Sequence, residues 1–508
     1  MDANVQTKNP RRIARNTLML YVRMLFLLFV GLYTSRVVLL ALGVDDFGVY
    51  NVVGGFVAMF SVLSGALSGA ISRFLTFELG KGDSEKLGAV FSSSVTIQTA
   101  MALLVILLAE GLGLWFIGSG MQIAPERIGA AKIVLQLSIL TFAINLISVP
   151  YNAAIIAHER MKAFAVIGIG EGLGKLGVAV AIAHFGGDRL ILYAVLMCIV
   201  ALLVRLCYGL FCHRNFEECR AKFRWDGALT RRMFAFAGWH FLGSGAGVLR
   251  DHGGNILINL FSGTAVNAAR GVALQLSGAV QNFATNFMTA INPQITKSYA
   301  AGDLEYTRKL VFKGARYSFF LLLLLGLPVL ANLPFLMEVW LKEVPALAVE
   351  FAALALLLAM SESLSGTLIT ALLATGEIRN YQLIVGGITL LNIPLSWLLL
   401  KLGFAPTCVM VVAIALSQVC LFARVLLLSG KAGFKAVKFI TGVWARSLGT
   451  AAVAAALPFL LAPLLHDGWA GCLESIAVCL AWTLLAVAFL GLDKNERKTF
   501  LKTKKHDI

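Results

Sequence analysis

The stretch NTLMLYVRMLFLLFVGLYTSRVVLLALG, residues 16–43, is an almost unbroken apolar run whose charged side chains are Arg23 and Arg36. A helix needs roughly 20 mostly apolar residues to cross a bilayer, and this run is longer. A basic segment precedes it, as in a signal peptide, but the run exceeds a signal-peptide core and lacks a small-residue cleavage site. We therefore expect residues 16–42 to form a permanent first membrane span.

The composition extends this interpretation to the whole chain. Of the 508 residues, 59% are hydrophobic and 14% are charged, whereas soluble domains are about half apolar and a quarter charged. The net charge of +16 is scattered through short gaps between apolar runs, which argues against nucleic-acid binding. The eight cysteines show no paired spacing, so we expect neither a disulfide framework nor a metal site, and no cofactor.

Fourteen apolar segments are each long enough to cross the membrane. They predict an all-α integral membrane protein with about fourteen transmembrane helices. The segments are 16–42, 47–73, 87–117, 129–157, 162–185, 189–212, 233–261, 264–296, 310–335, 346–374, 380–402, 405–428, 446–466 and 470–491.

The distribution of positive charge predicts the orientation of these spans. Of the 43 Lys and Arg residues, 32 fall at the two ends of the chain or in alternate gaps and the span ends that border them, 5 fall in or beside the intervening gaps, and the remaining 6 lie deeper within spans. Basic residues accumulate on the cytoplasmic side of membrane proteins. We therefore expect both termini to be cytoplasmic, and the outside gaps are too short to fold as external domains.

A weak repeat divides the chain into halves. SRFLTFELGKGD, residues 72–83, and NPQITKSYAAGDLEYTRK, residues 292–309, each follow an apolar pair of spans, at an offset near 220 residues. The repeat predicts two six-helix lobes. Repeat-built transporters place their substrate path between the repeats, so we also expect a central cavity. The alternative is a bundle without a cavity. The expected parts are the lobes 1–212 and 233–428 around a central cavity, the cytoplasmic linker 213–232, a final helix pair with its basic linker at 429–491, and a basic tail at 492–508.

Charged residues within spans are candidate functional groups, because an ionisable side chain at membrane depth needs a partner or a water-filled cavity. Arg23 and Arg36 lie near opposite ends of the first span. Either could reach the interface by snorkelling, and Arg36 could pair with Asp45 or Asp46.

Glu171 and Lys175 lie near the middle of the fifth span at the i, i+4 spacing that favours an ion pair. The pair could lock the helix, or it could accept a proton or cation during a transport cycle. The glycines around it, at 168, 170, 172, 174 and 177, would allow another helix to approach closely.

The seventh span carries a polar stripe. Its side chains recur at helical spacing, which places them on one face, and lipid would leave such groups unsatisfied. The stripe therefore indicates a cavity or a static polar interface. It consists of His240, Ser244, Gly247, Asp251 and Asn255, with Arg250 beside it. Further polar residues within spans are Arg270, Asn282 and Asn286 in the eighth span and Glu362 in the tenth.

Residues 16–55, followed by ISRFLTFELGKGD at 71–83, resemble the polysaccharide transporter group of the multidrug/oligosaccharidyl-lipid/polysaccharide exporter superfamily, the O-antigen or lipopolysaccharide flippases. The resemblance implies two bundles that alternate between inward-open and outward-open states in the bacterial inner membrane. The implied cargo is an undecaprenyl-pyrophosphate-linked oligosaccharide for surface polysaccharide synthesis. We expect membrane lipids, a polysaccharide polymerase and glycosyltransferases as partners, while the buried carboxylates alone suggest coupling to H⁺ or Na⁺.

The resemblance also suggests roles for the polar residues, since guanidinium groups bind phosphate oxygens bidentately. We expect Arg23, Arg36, Arg250 and Arg270 to be candidates for holding pyrophosphate. The full set of substrate-cavity candidates is Arg23, Arg36, His240, Arg250, Asp251, Asn255, Arg270, Asn282 and Asn286. The ion-coupling candidates are Glu171, Lys175, Asp251 and Glu362.

Two alternatives remain: a drug or cation antiporter of the same superfamily, and a membrane-embedded glycan polymerase or ligase. The related drug exporters tend to use acidic residues in the first helix, and residues 16–43 contain none. An enzyme of the second kind would need a sizeable external loop, and the chain lacks the GKS/T, HExxH and GxSxG motifs. We therefore expect a transporter rather than an enzyme.

Overall fold

The computed structural model describes residues 10–119, 125–184, 187–220, 226–341, 344–461, 466, 468–493 and 496–497. Within these residues the chain is helical and contains no strand. The helices are α1 Pro10–Ala58, α2 Ser61–Lys81, α3 Ser84–Ser119, α4 Ile128–Ala157, α5 Met161–His184, α6 Arg189–Asn215, α7 Gly227–Ala300, α8 Leu304–Ala331, α9 Leu333–Leu341, α10 Ala348–Ser363, α11 Gly366–Thr375, α12 Arg379–Leu390, α13 Asn392–Lys401, α14 Cys408–Ala432, α15 Ala436–Phe439, α16 Arg446–Leu461 and α17 Gly468–Ala486.

Two π-helical segments accompany the last helices, Ile440–Ala445 before α16 and Val487–Gly491 after α17. Most of the basic tail predicted at 492–508 lies outside the described residues.

The described parts of all fourteen predicted spans are helical, apart from short breaks and ends. Ten helical segments are long and apolar enough to cross a membrane, and α10 and α11, which meet at a bend of 40°, would together make an eleventh. The other predicted spans, 47–73, 233–261 and 264–296, are also helical; a break at residues 59–60 divides the first, and the other two contain many glycines and polar residues. The protein is therefore an all-α, multi-pass integral membrane protein.

The chain forms two compact units, Met1–Phe241 and Leu242–Ile508. The core of the first unit is built around buried side chains of α4, such as Leu135. The core of the second is built around α10, where Phe351 is fully buried. The division between the units falls within α7, after the linker that the sequence predicts at 213–232.

The repeat seen in the sequence has a structural counterpart in two glycine turns. Gly43 interrupts α1 with φ 77° and ψ 170°, and Gly263 interrupts α7 with φ 83° and ψ 179°. This backbone region is open almost only to glycine. Each glycine reverses the chain between two successive spans, so α1 and α7 each contain a helical hairpin.

A second pair of equivalent positions follows each hairpin. Gly82 ends α2 with φ 74°, and Gly302 follows α7 with φ 76°. Asp83 and Asp303 then cap the next helix, each accepting a hydrogen bond at 3.0 Å from the backbone N–H three residues later. The two halves therefore repeat the same sequence of turn, helix and cap.

Candidate functional site

The buried charges of the second unit meet at Arg250 on α7. Its Nη1 donates to Oε1 of Glu362 at 2.7 Å, and its Nε donates to Oδ1 of Asp251 at 3.0 Å. The Arg250 side chain is only 18% exposed. Glu362 lies in the last turn of α10, just before the bend to α11. Three residues singled out from the sequence therefore form one charged cluster.

Arg270 joins this cluster from the other arm of α7. The turn at Gly263 folds the helix back, so that Nη1 of Arg270 donates to the backbone carbonyl of Asp251 at 3.2 Å and to Oδ1 of Asn255. Arg270 is 3% exposed, and its Nε is buried without an acceptor among the described residues. Its hydrogen bonds thus go to neutral oxygens, and its charge lies close to that of Arg250.

Two cavities adjoin the cluster. One, of about 240 Å³, is lined by Arg250 and Glu362 together with residues of α11, α12 and α14. The other, of about 150 Å³, is lined by Arg250, Glu362, Asp251 and Arg270. The Arg250–Glu362 ion pair contributes to the wall of both cavities, so breaking it would change the charge that faces each. Among the described residues, no three His, Cys, Asp or Glu side chains come together as a metal site requires.

The amides of the eighth span do not bond to this cluster in the contacts that the structure shows. The side chain of Asn286 donates to the backbone carbonyl of Asn282, one turn earlier, at 2.8 Å. Asn282 is exposed on the second unit. The four-residue spacing of the two amides places them on one face of α7.

His240, the first residue of the predicted stripe, belongs to the first compact unit. It packs against Gly69 of α2, where a Cβ atom would come within 2.7 Å of its Nε2 atom. Its ring also lies 6.4 Å from that of Phe236. The stripe is therefore divided, with His240 in one unit and Asp251 and Asn255 in the other.

In the first unit, Arg23 and the Glu171–Lys175 pair lie on two helices that pack together. The guanidinium of Arg23 lies 4.4 Å from the centre of the Phe164 ring and rests on Gly168 of α5. Glu171 and Lys175 form an ion pair at 2.7 Å on the same helix. The glycine-rich face of α5 thus allows the close approach expected from the sequence.

Arg36 is exposed on α1. Asp46, one of its two possible partners, instead accepts a hydrogen bond from Nε of Arg127 at 2.8 Å, and Arg127 also binds Asp188 at 2.8 Å. The side chain of Asp45 lies outside the described residues. The structure thus shows Arg127 as a partner of Asp46, and the pairing of Arg36 with Asp45 or Asp46 stays a prediction.

The structure adds Arg424 to the candidate residues. Arg424 lies near the cytoplasmic end of the predicted span 405–428, where a basic residue is expected to mark topology, but in the structure it lies on α14 and lines the cavity of about 240 Å³. Its Nη1 donates to Oγ of Ser365 at 3.0 Å. Its seven-residue spacing from Ser417, within an apolar helix, is the signal that could have indicated an inward-facing residue.

A model of the polysaccharide biosynthesis protein family matches residues 13–299. The chain is also similar to EpsK, an uncharacterized membrane protein of Bacillus subtilis (strain 168), with 22% identity over 301 residues. That similarity covers 58% of this chain and 59% of the relative, so the chain spans less than two thirds of the relative's length.

Solved transporter structures share the fold. An outward-facing multidrug resistance MATE family transporter of the MOP superfamily superposes with a TM-score of 0.71 and 12% identity, covering 84% of this chain and 97% of that one. A MOP superfamily transporter from Pyrococcus furiosus, whose binding pocket is described as having reverse polarity, gives a TM-score of 0.70 and 12% identity over 86% and 99% of the two chains. Because the family model matches more than half of its length, the chain belongs to the polysaccharide biosynthesis protein family, with the fold of MOP superfamily transporters.

Proposed function

We propose that the protein is a flippase that moves a lipid-linked oligosaccharide across the bacterial inner membrane for surface polysaccharide synthesis. The cargo is an undecaprenyl-pyrophosphate-linked glycan, carried from the cytoplasmic to the periplasmic leaflet by alternating access. Glycosyltransferases supply the cargo and a polymerase consumes it. In this proposal both termini of the chain lie in the cytoplasm.

The cluster of Arg250 and Arg270 supports an anionic cargo. The Arg270 guanidinium is buried and that of Arg250 is largely buried, in a membrane protein. Removing such charges from water costs free energy, so charged groups at membrane depth usually have a charged partner or a functional role. A pyrophosphate group offers oxygens that guanidinium binds bidentately. The membership of the chain in a polysaccharide biosynthesis family makes a pyrophosphate-linked glycan the favoured source of that group.

Ion coupling fits the same cluster. Asp251 and Glu362 already accept hydrogen bonds from Arg250, so a proton or Na⁺ that neutralised Glu362 would release the guanidinium for phosphate. Glu171, paired with Lys175, is the corresponding candidate in the first unit.

Collapsing the proton and sodium gradients separately in vesicles should slow flipping in one case. Unchanged flipping in both cases would leave these carboxylates with a structural role.

A reconstituted assay tests the function directly. Purified protein in proteoliposomes should expose an undecaprenyl-pyrophosphate-linked glycan to a membrane-impermeant lectin, and Arg250→Ala should reduce the rate by at least about tenfold because a phosphate contact is lost. Arg231→Gln, an exposed charge on the first turns of α7, is the matched control. Normal flipping by Arg250→Ala would remove this arginine from the mechanism.

A drug or cation antiporter is the main alternative. The first span carries Arg23 and Arg36 and no carboxylate, which disfavours a cationic cargo. The same proteoliposomes loaded with ethidium should therefore show no transport that depends on an imposed proton or sodium gradient. Gradient-driven ethidium transport, with no movement of the lipid-linked glycan, would decide for the antiporter.

A further inference from the structure

The cavity of about 240 Å³ in the second unit is lined by Arg250 and Glu362 and by further polar residues to which the proposed transport cycle assigns no role. Side chains of α7, α11, α12 and α14 form its walls, together with the bend between α10 and α11. Several of its polar residues are at least nine-tenths buried, so they face the cavity and not the surface. These are Ser365, Tyr381 and Gln382.

Arg424 is the charged residue that distinguishes this cavity from the neighbouring one. The acceptor that the structure shows for its guanidinium is a neutral oxygen, Oγ of Ser365. Its Nε is buried and has no acceptor among the described residues. Arginine stays protonated in proteins, so this charge cannot be removed by proton loss. A partly buried guanidinium that keeps an unused N–H donor can bind an anion.

The balance of charge around the cavity is also positive. Of the residues that line it, Arg250 and Arg424 are positive and Glu362 is negative. Asp251, which also accepts a hydrogen bond from Arg250, and Arg270, which donates to the Asp251 carbonyl, add one charge of each sign, so one positive charge remains in excess. The other polar groups that line it are neutral donors or acceptors, such as the Gln382 amide and the Ser365 hydroxyl. An excess positive charge in a low-dielectric interior favours the entry of one small anion.

The size of the cavity limits what can bind. At about 240 Å³ it is below the range of roughly 300–1,000 Å³ typical of sites for drug-sized ligands. A phosphate or diphosphate group fits this space, whereas a sugar chain or a polyprenyl chain would have to remain outside.

We propose that this cavity is a phosphoryl-oxyanion site in which Arg424 and Arg250 bind one phosphate or diphosphate group, with Ser365 and Gln382 as neutral partners. The inference rests on the proposed function for the source of the group, which is either the headgroup of the lipid-linked glycan or free phosphate. Arg250 is shared between this site and Glu362, so occupation of the site draws Arg250 away from its carboxylate.

The test is the thermal unfolding of the purified, detergent-solubilised protein with sodium pyrophosphate, compared with sodium chloride at equal ionic strength. A ligand that binds the folded state raises the unfolding midpoint with concentration. We expect wild type to respond, and Arg424→Gln to need about tenfold more pyrophosphate for the same response, because a bidentate charged contact is lost. Arg231→Gln is the control and should behave as wild type.

Two further variants test whether a folding defect, rather than a lost contact, explains the result for Arg424→Gln. Arg424→Lys keeps the charge but lacks the planar fork, so it should bind pyrophosphate several-fold more weakly than wild type. Ser365→Ala removes the neutral partner and should weaken binding less than Arg424→Gln does. An identical pyrophosphate response in wild type and in all three variants would overturn the site.

A comparison of ligands identifies the source of the phosphoryl group. If inorganic pyrophosphate and undecaprenyl pyrophosphate both stabilise the protein, the site recognises the phosphoryl group alone. If only the lipid stabilises it, the ligand is the headgroup of the lipid-linked glycan. Absence of a response to both overturns the inference. The outcome is separable from the flippase proposal: pyrophosphate binding through Arg424 without flipping would contradict only the transport function, and normal flipping with an unchanged pyrophosphate response in Arg424→Gln would contradict only this site.

Discussion

Arg250 makes hydrogen bonds to two carboxylates, while Arg270, its neighbour across the Gly263 turn, hydrogen-bonds neutral oxygens. Removing charges from water costs several kcal/mol per ion, and the attraction between them offsets that cost only in good geometry. The Arg250–Glu362 contact at 2.7 Å provides that geometry in the present conformation. A phosphate that enters the cluster must therefore compete with Glu362 for the same guanidinium.

This competition gives a prediction for Glu362→Gln, which keeps the shape of the side chain and removes its charge. We expect the variant to bind pyrophosphate at least about tenfold more tightly than wild type, because one repulsive charge and one competitor for Arg250 are lost. The pyrophosphate concentration that gives half of the maximal rise in unfolding temperature measures the effect. Glu305→Gln, which removes an exposed carboxylate on α8, is the control. Equal or weaker binding by Glu362→Gln would show that the carboxylate does not compete with the ligand.

Only part of this cluster could be predicted from the sequence. Helical spacing placed Asp251 and Asn255 on one face, since that relation is local. The contact between Arg250 and Glu362 joins residues 112 positions apart, and no local pattern specifies such a pairing. Arg424 was missed because its position near the end of an apolar segment is also where topology places cytoplasmic charges.

At the scale of elements, the glycine turns decide which residues of one helix meet. Gly263 lets α7 reverse, and the reversal carries Arg270 back to Asn255. Gly43 has the same role in α1, so the two units share a hairpin whose reversal depends on a single residue.

Replacing Gly263 with alanine should therefore cost about 1–3 kcal/mol of folding free energy, because alanine is strained at φ 83°. Gly271→Ala is the matched control: it lies on the same helix, and no atom lies within 4 Å of the Cβ that it would gain. There we expect no loss of stability, because alanine favours a helix over glycine by about 1 kcal/mol. The unfolding midpoints of both variants in detergent measure the difference, and equal midpoints would contradict the strain argument.

The last helices are joined to α8 by an ion-pair cluster. Arg316, which is 5% exposed, binds Glu496 at 2.9 Å and Asp493 at 3.2 Å, and Arg446 also binds Asp493. Burial raises the pKa of Asp493, but the hydrogen bond and charge of Arg446, together with Arg316, outweigh this effect and lower the pKa below its usual range.

A carboxylate with a lowered pKa stabilises the fold above its unfolded pKa of about 3.9, and the contribution is lost as the pH falls through the lower, folded value. Wild type should thus be more stable than Asp493→Asn at pH 7, by no more than about 1 kcal/mol because the Asp493 side chain is 51% exposed. Unfolding midpoints should converge below about pH 4. A difference that stays constant down to pH 3 would mean that the charge of Asp493 is not the cause.

At the scale of the whole molecule, composition and charge were sufficient to predict the membrane class and the helical spans. Neither property carries information on where a span breaks. The bend between α10 and α11 and the start of the short helix Leu333–Leu341 were not predicted, because both fall inside apolar segments, 346–374 and 310–335, whose hydropathy is continuous. The repeat in the sequence did indicate equivalent positions for one pair of glycines, since Gly82 and Gly302 each precede an aspartate in matching segments.

The orientation of the chain follows from its charge asymmetry and can be tested at two positions. Residues 214–232 contain six basic residues, whereas the segment 185–189 between the fifth and sixth spans contains Arg189 alone, so the positive-inside rule predicts a cytoplasmic linker and an external segment. A green fluorescent protein fused after residue 220 should fluoresce, because it folds in the cytoplasm. Alkaline phosphatase fused after residue 187 should be active, because it needs the oxidising periplasm for its disulfides. The exchanged fusions are the controls and should both be silent. An active phosphatase after residue 220 would invert the topology and would place the basic linker, contrary to expectation, on the outer side.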